Sequence, residues 1–309
     1  MRAVPLSGCA LPLCSPLVCD FARRIHRLIT LVPTWPTCFI EMIKPANQWF
    51  HSFLCLDVES TCINADDPGL ENPSNLAREQ LVWKYPNEII EWPVILFQWR
   101  LSDGNWQLYE VDRFRRFVQP TWRPILSNFC KDLTGITQND VNQASTFPQV
   151  LKDFDINFVK PHKLFTFDNP TVWVTDGPWD FQDHFLKSTF LSRIHLNNLP
   201  FYLKSPINII DLRYLVQAFV PRLCTFALPP SFDLVSLLSI FGLEFEGRQH
   251  SGIDDVVNIG RLLSIMVTHA RQPETNFPQW VFKPNRSIKL RPERFFWMSK
   301  KFKCTWTLP

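Results

Sequence analysis

No Cys-x-x-Cys pair occurs in the 309 residues, so a zinc finger has no ligand spacing to build on. The nine cysteines are odd in number and scattered from Cys9 to Cys304. That usage fits reduced thiols and predicts an intracellular protein, cytoplasmic or nuclear. No apolar run is long enough for a bilayer. The uncharged stretch Leu28 to Ile40 near the N-terminus is short and interrupted by Pro33 and Pro36, so no membrane partner is expected. Internal repeats and low-complexity tracts are also missing, which excludes solenoid and fibrous classes. The net charge is only +3, too small by itself to mark a polyanion binder.

What is present is apolar and aromatic material, 46% and 14% of the residues, enough for a full core in one large domain with extensions. The charge is uneven. Residues 272–309 carry eight Lys/Arg against Glu274 and Glu293, a local +6 that leaves −3 for the remainder. An acidic body with a basic flank suits a cation-binding pocket beside a surface that attracts polyanions. Three parts are therefore expected: an N-terminal extension over 1–48 with little fixed structure, a main domain over 49–271, and a basic, aromatic tail over 272–309. The first 48 residues hold five Lys/Arg against Asp20 and Glu41, a bias shared with mitochondrial transit peptides; an incidental extension is the plainer alternative. In the tail, cations from Lys283 to Lys303 interleave with Trp280, Phe282, Phe295, Phe296, Trp297, Phe302 and Trp306, a pattern suited either to RNA contact or to a packed appendage.

The pattern predicts a buried strand over Phe53–Asp57, a second over Pro93–Arg100, a turn at Ser102–Asn105 and a third strand over Trp106–Phe117, together an antiparallel meander. Asn64–Lys84 is polar and reads as a surface insertion. Helical spacing follows over Gln138–Asp153, then a short strand over Thr171–Thr175 and a helix opening at Asp180. Further helices are expected over Ile209–Val220, from a cap at Ser231 to near Gly242, and over Asp254–Val267. Strands followed by alternating strands and helices indicate a layered α/β domain.

Four acids and one histidine carry the chemistry. Asp57 and Glu59 stand two apart on the first strand, so both carboxylates aim at one point while Val58 turns into the core. The bland alternative is a strand end with solvated acids. Asp180 lies past the turn Gly177-Pro178, where it could project from a strand–helix junction or simply cap a helix; Asp176 competes for the role. His250 precedes Asp255 across a glycine-containing turn, which places the imidazole on a loop and the acid in the first helical turn. An imidazole titrates near neutrality and can take a proton from water, although a lone histidine is more often structural. Four carboxylates with no basic neighbour in sequence are costly to gather unless hard cations such as Mg²⁺ or Mn²⁺ neutralise them. A pair of such ions ~4 Å apart is a known device for phosphodiester cleavage.

Several stretches taken in order resemble one family: Leu56-Asp57-Val58-Glu59-Ser60-Thr61-Cys62, Glu88 to Pro93, Phe117 to Pro120, Phe129-Cys130 with Leu133 to Thr137, Thr175 to Asp180, and Gly247 to Asp255. Over roughly Phe53–Met266 the chain resembles the DEDDh 3′–5′ exonucleases of the RNase H-like superfamily, and within them the Eri exoribonucleases. The resemblance implies an RNase H-like exonuclease fold, a mixed central β-sheet flanked by helices. It implies two Mg²⁺ held by Asp57, Glu59, Asp180 and Asp255, with Mn²⁺ able to substitute, and His250 as general base. Val58, Phe129 and Trp179 would contact substrate, the two aromatics by stacking on terminal bases. The implied reaction is removal of nucleoside 5′-monophosphates from RNA 3′ ends, single-stranded or in structured small RNAs. A DNA exonuclease and a non-catalytic RNA-binding scaffold are the alternatives. Two features depart from the family: the long 64–84 segment, and an N-terminal region with no recognisable SAP-type nucleic-acid-binding module.

Overall fold

The computed structural model describes residues 44–64, 85–223, 232–269 and 282–291. Residues 1–43 of the expected N-terminal extension, 65–84 of the insertion, and 272–281 and 292–309 of the tail lie outside these residues. Among the described residues, eight strands form one sheet: β1 (Ser52–Leu56), β2 (Glu59–Ser60), β3 (Ile89–Ser102), β4 (Asn105–Gln119), β5 (Ser145–Thr146), β6 (Thr171–Thr175), β7 (Ile207–Asp211) and β8 (Arg286–Ile288). Their order is β5-β4-β3-β1-β6-β7-β8, with β2 pairing β3. The β1–β3–β4 part is the expected antiparallel meander, whereas β1, β6 and β7 run parallel. The β3–β4 turn places Asp103 and Gly104 at φ 50° and 75°, the two positive values of a tight hairpin, which Asp-Gly accommodates.

The helices are α1 (Asn128–Thr134), α2 (Gln138–Asn142), α3 (Phe147–Phe154), α4 (Leu186–Leu191), α5 (Leu212–Leu223), α6 (Leu234–Ile240) and α7 (Gly252–His269). They cover both faces of the sheet, so the central strand β1 is buried throughout and reads as a continuous apolar run. Its alternate residues enter different cores. Phe53 and Cys55 pack with Val256, Ile259 and Leu263 of α7. Leu54 and Leu56 pack with Trp92, Trp173 and Phe154 of α3. Among the described residues, no helix is long and apolar enough to cross a membrane.

Contact between α7 and β3 is tightest at Gly260, where a Cβ would stand 2.1 Å from the Phe97 ring. Gly260→Ala is expected to destabilise the fold by about 1–3 kcal/mol, the usual cost of overpacking a core, measurable by urea unfolding.

The helix expected over Ile209–Val220 begins later. Ile209 and Ile210 belong to β7, which is buried between β6 and β8, and a short apolar run has no periodicity that separates strand from helix. The chain turns helical only at Leu212, with the Asp211 carboxylate accepting from the Tyr214 amide at 2.8 Å. The next helix is capped by Asp233, which accepts from the Ser236 amide at 2.8 Å; Ser231 lies outside the described residues. The 138–153 region divides into α2 and α3, each opened by its own threonine capping box. The middle of the expected tail is part of the body. Residues 286–288 add β8 to β7, and Phe282 is buried against Phe53 instead of being free to stack on bases. Arg286 pairs with Asp211, and Lys283 lies over the Trp49 ring.

Candidate active site

Three parallel strands end side by side and deliver polar residues to one edge, where open α/β sheets place their ligands. Asp57 follows β1, Asp176 and Asp180 follow β6, and Arg213 follows β7. A cleft of about 450 Å³ opens there, lined by Asp57, Val58, Glu59, Asp255 and His250, with Asp176, Arg213 and His184 also on its wall. Asp57 and Glu59 do not share one strand as expected. The ladder of β1 stops at Leu56, and the register shifts between Glu59 and Ser60 of β2. The irregular Asp57-Val58 step leaves the Val58 amide free of the sheet, and it donates to Asp180 Oδ1 at 2.9 Å. The Val58 side chain packs into the core, as its alternation predicted.

Asp180 opens a π-helical turn, Asp180–Phe185, that leads into α4. Asp255 lies in the first turn of α7, and the start of that helix presses on the strand end: a Cβ on Gly252 would stand 2.9 Å from the Asp57 carbonyl oxygen. Only a residue without a side chain permits that approach. His250 sits just before the helix, exposed, at φ 62°.

The electrostatics follow from this gathering. Burial, then Asp180, Asp255 and Glu59, hold the Asp57 carboxyl well above the usual range. Glu59 is raised by burial and then by Asp255, Glu91 and Asp180. Burial pushes Asp180 and Asp255 up to about 7, although the Val58 amide favours ionised Asp180 and the His250 amide ionised Asp255. None of these four carboxylates forms an ion pair among the described residues. The nearby cations are committed elsewhere, Arg213 to Asp176 and Arg115 to Glu91.

Among the described residues, no three carboxylate, imidazole or thiol groups stand in a ready coordination shell. The donor set nevertheless fits hard divalent cations. All four groups are oxygen donors, they repel one another, and they lack a cationic partner.

Phe129 and Trp179 do not line the cleft. Leu133, one turn on from Phe129 along the same face of α1, does, while Phe129 is 36% exposed. Trp179 is 42% exposed, with Gly177 packed against its ring and the Arg213 guanidinium 4.8 Å from the ring centroid. Some contributors were not among the expected site residues. Glu91 is fully buried in β3, holds Arg115 at 2.5 Å and lies beside Gly252 at the start of α7, whose amide favours its ionised form. A glutamate inside the apolar run Ile89-Ile90-Glu91-Trp92 is itself a sign of a buried anchor. His184 reaches Ser60 Oγ at 3.0 Å across the cleft wall, and burial lowers its pKa to about 3, so it stays neutral.

Known proteins resemble this chain in sequence and fold. The exonuclease family RNase_T matches residues 54–263. The chain is 29% identical over 259 residues to the 3′-5′ exonuclease eri1 of Schizosaccharomyces pombe, covering 76% of this chain and 75% of that protein. It is 34% identical over 225 residues to 3′-5′ exoribonuclease 1 of Homo sapiens, covering 72% of this chain but only 54% of the human protein. Among solved structures, the nuclease domain of 3′hExo, described as a DEDDh family member bound to rAMP, matches with TM-score 0.56 and 30% identity over 74% of this chain and 97% of that one. The chain belongs to the RNase_T exonuclease family and, within it, to the DEDDh 3′–5′ exonucleases of the Eri group.

Proposed function

We propose that this chain is a metal-dependent 3′–5′ exoribonuclease that shortens RNA by hydrolysis and releases nucleoside 5′-monophosphates. The family is metal-dependent. The observation that supports the reading for this chain is the gathering of four carboxylates from three separate segments, all with raised pKa and none with an ion-pair partner among the described residues, beside the exposed His250.

Asp57, Glu59, Asp180 and Asp255 are the residues that would hold two Mg²⁺, with Mn²⁺ as a substitute; such ions supply charge stabilisation and a water of lowered pKa. His250 accepts the proton of the attacking water at a ring nitrogen. Leu133 and the Val58 backbone bound the cleft where the terminal nucleotide enters. Phe129 and Trp179 stack on bases beyond it, a contact that tolerates any sequence. The substrates are RNA 3′ ends, single-stranded or in structured small RNAs.

The test uses single-stranded, stem-loop and 3′-overhang duplex RNAs, with products resolved by length and DNA of matching sequence as competitor. Stepwise shortening from the 3′ end that EDTA blocks is the expected result. Preference for DNA would move the assignment to a DNA exonuclease, and binding without shortening would make the chain a scaffold.

The raised carboxylates also predict how stability responds to pH. Asp180 and Asp255 lie near 7 in the folded protein, above the ordinary carboxylate value they have when unfolded. The folded state therefore binds more protons. The stability this contributes is complete below the unfolded value and is lost as pH rises through the folded one. Cation-free protein is expected to melt lower at about pH 8 than at about pH 5, and saturating MnCl₂ should raise Tm more at the higher pH. A cation effect independent of pH would remove the four carboxylates from the account.

A further inference from the structure

Arg248 stands two residues before His250, on the loop between α6 and α7, and its side chain leaves the loop altogether. Its Nη2 donates to the carbonyl oxygens of Asp132 at 2.5 Å and Leu133 at 3.2 Å, both in the last turn of α1. Those carbonyls belong to the group a helix C-terminus leaves without partners, and a cation there is favoured by the helix dipole as well. The seat is shaped for the guanidinium. Gly135, the left-handed residue that ends α1 at φ 74°, would place a Cβ 1.7 Å from Arg248 Nη1.

The backbone of Arg248 is fixed at the same time. Its amide donates to Asp254 Oδ2 at 3.0 Å, and its carbonyl accepts from the Ser251 amide at 3.2 Å. Gly247, at φ 86°, lies so close to Asp254 that a Cβ would meet its carboxyl carbon at 2.6 Å. One arginine thus ties three things together: the end of the helix whose Leu133 walls the cleft, the loop that carries His250, and the first turn of α7 that carries Asp255.

We infer that Arg248 is a positioning residue that sets His250 against the cleft by clamping its loop onto the C-terminus of α1. The inference rests on His250 being the general base. The clamp explains how an exposed histidine in a left-handed conformation is held in one place without a hydrogen bond from its own ring among those described.

The test is a double-mutant cycle on the full chain with a 3′-labelled RNA substrate. Arg248→Ala is expected to lower kcat by about 10²-fold, the cost of displacing a reacting group by about an ångström, with KM changed less than about twofold. His250→Ala should cost much less in the Arg248→Ala background than alone, because a displaced imidazole has little left to lose. Gly135→Ala, which fills the guanidinium seat, should reproduce the kcat loss with Arg248 intact. Amide exchange at Ser251 and Asp254 should quicken in both variants, a readout that does not depend on activity.

Three results would overturn the inference: unchanged kcat in Arg248→Ala, full additivity of the two alanines, or a rise confined to KM that steepens with salt and so marks a phosphate contact. Full activity in His250→Ala is a different failure. It removes the general-base reading, while the exchange rates still report whether the clamp holds the loop.

Discussion

Replacing Asp57 with asparagine should abolish RNA shortening and, at the same time, raise the melting temperature of the cation-free protein. Asp57 is the carboxylate that most of the others act upon: Asp180, Asp255 and Glu59 all raise it, on top of its burial. Asparagine has nearly the same shape and keeps one oxygen but carries no charge. It removes a ligand charge from the reaction and a source of repulsion from the fold. Loss of a preorganised charge at the transition state costs about 10³-fold or more in rate. Relief of the repulsion should appear as a higher Tm above about pH 7 and as a smaller Tm gain on adding Mn²⁺. The paired result separates a site built for cations from an acid that merely supports the strand end, whose removal would lower Tm. Wild-type rates in this variant would end the assignment of Asp57.

His250→Ala is the second large effect, a fall in kcat of about 10²–10⁴-fold with the Mn²⁺-dependent rise in Tm retained. The position needs a backbone control. At φ 62° an alanine is strained for reasons unrelated to catalysis, whereas asparagine tolerates the left-handed region. His250→Asn should therefore lose as much activity as alanine while keeping the wild-type unfolding midpoint. Recovery of the rate in the asparagine variant would show that the loop conformation, and not proton transfer, was being tested. A rate that stays flat with pH across the range where an imidazole titrates would also count against a proton-accepting role.

The parts of this architecture that could be read along the chain are those with a local signature. β1 is a run of apolar residues ending at an acid, the β3–β4 turn is Asp-Gly, and the His250-to-Asp255 spacing spans a loop and a helix start. The resemblance picked Asp180 over Asp176, but the physical difference between them shows only in three dimensions. One accepts from the Val58 amide beside Asp57, and the other is neutralised by Arg213. The β7–α5 boundary was hidden because Ile209 and Ile210 are buried on both sides, and such a run has no period. The pairings of Glu91 with Arg115 across the hairpin, of Arg248 with the end of α1, and of Ser60 with His184 had no sequence signal. Each joins residues far apart in the chain, and nothing local in either partner marks the other. Phe129 and Trp179 show the converse. A motif can single out an aromatic and still say nothing about whether it lines the cleft, where Leu133 and Arg213 are found instead.

The last recognisable motif stops at Asp255, but the sheet is completed well beyond it. Asn285 accepts from the Asp211 amide and donates to its carbonyl oxygen, both at 2.8 Å, so the segment after the motifs staples the strand exit from which Arg213 enters the cleft. A fragment trimmed where sequence similarity fades would strip β7 of its neighbour and expose a raw sheet margin to other chains, a familiar route to clumping. It would also leave Phe53 facing a void where Phe282 had been. The smallest piece of this chain that behaves as a well-mannered unit is thus set by its sheet and not by its motifs.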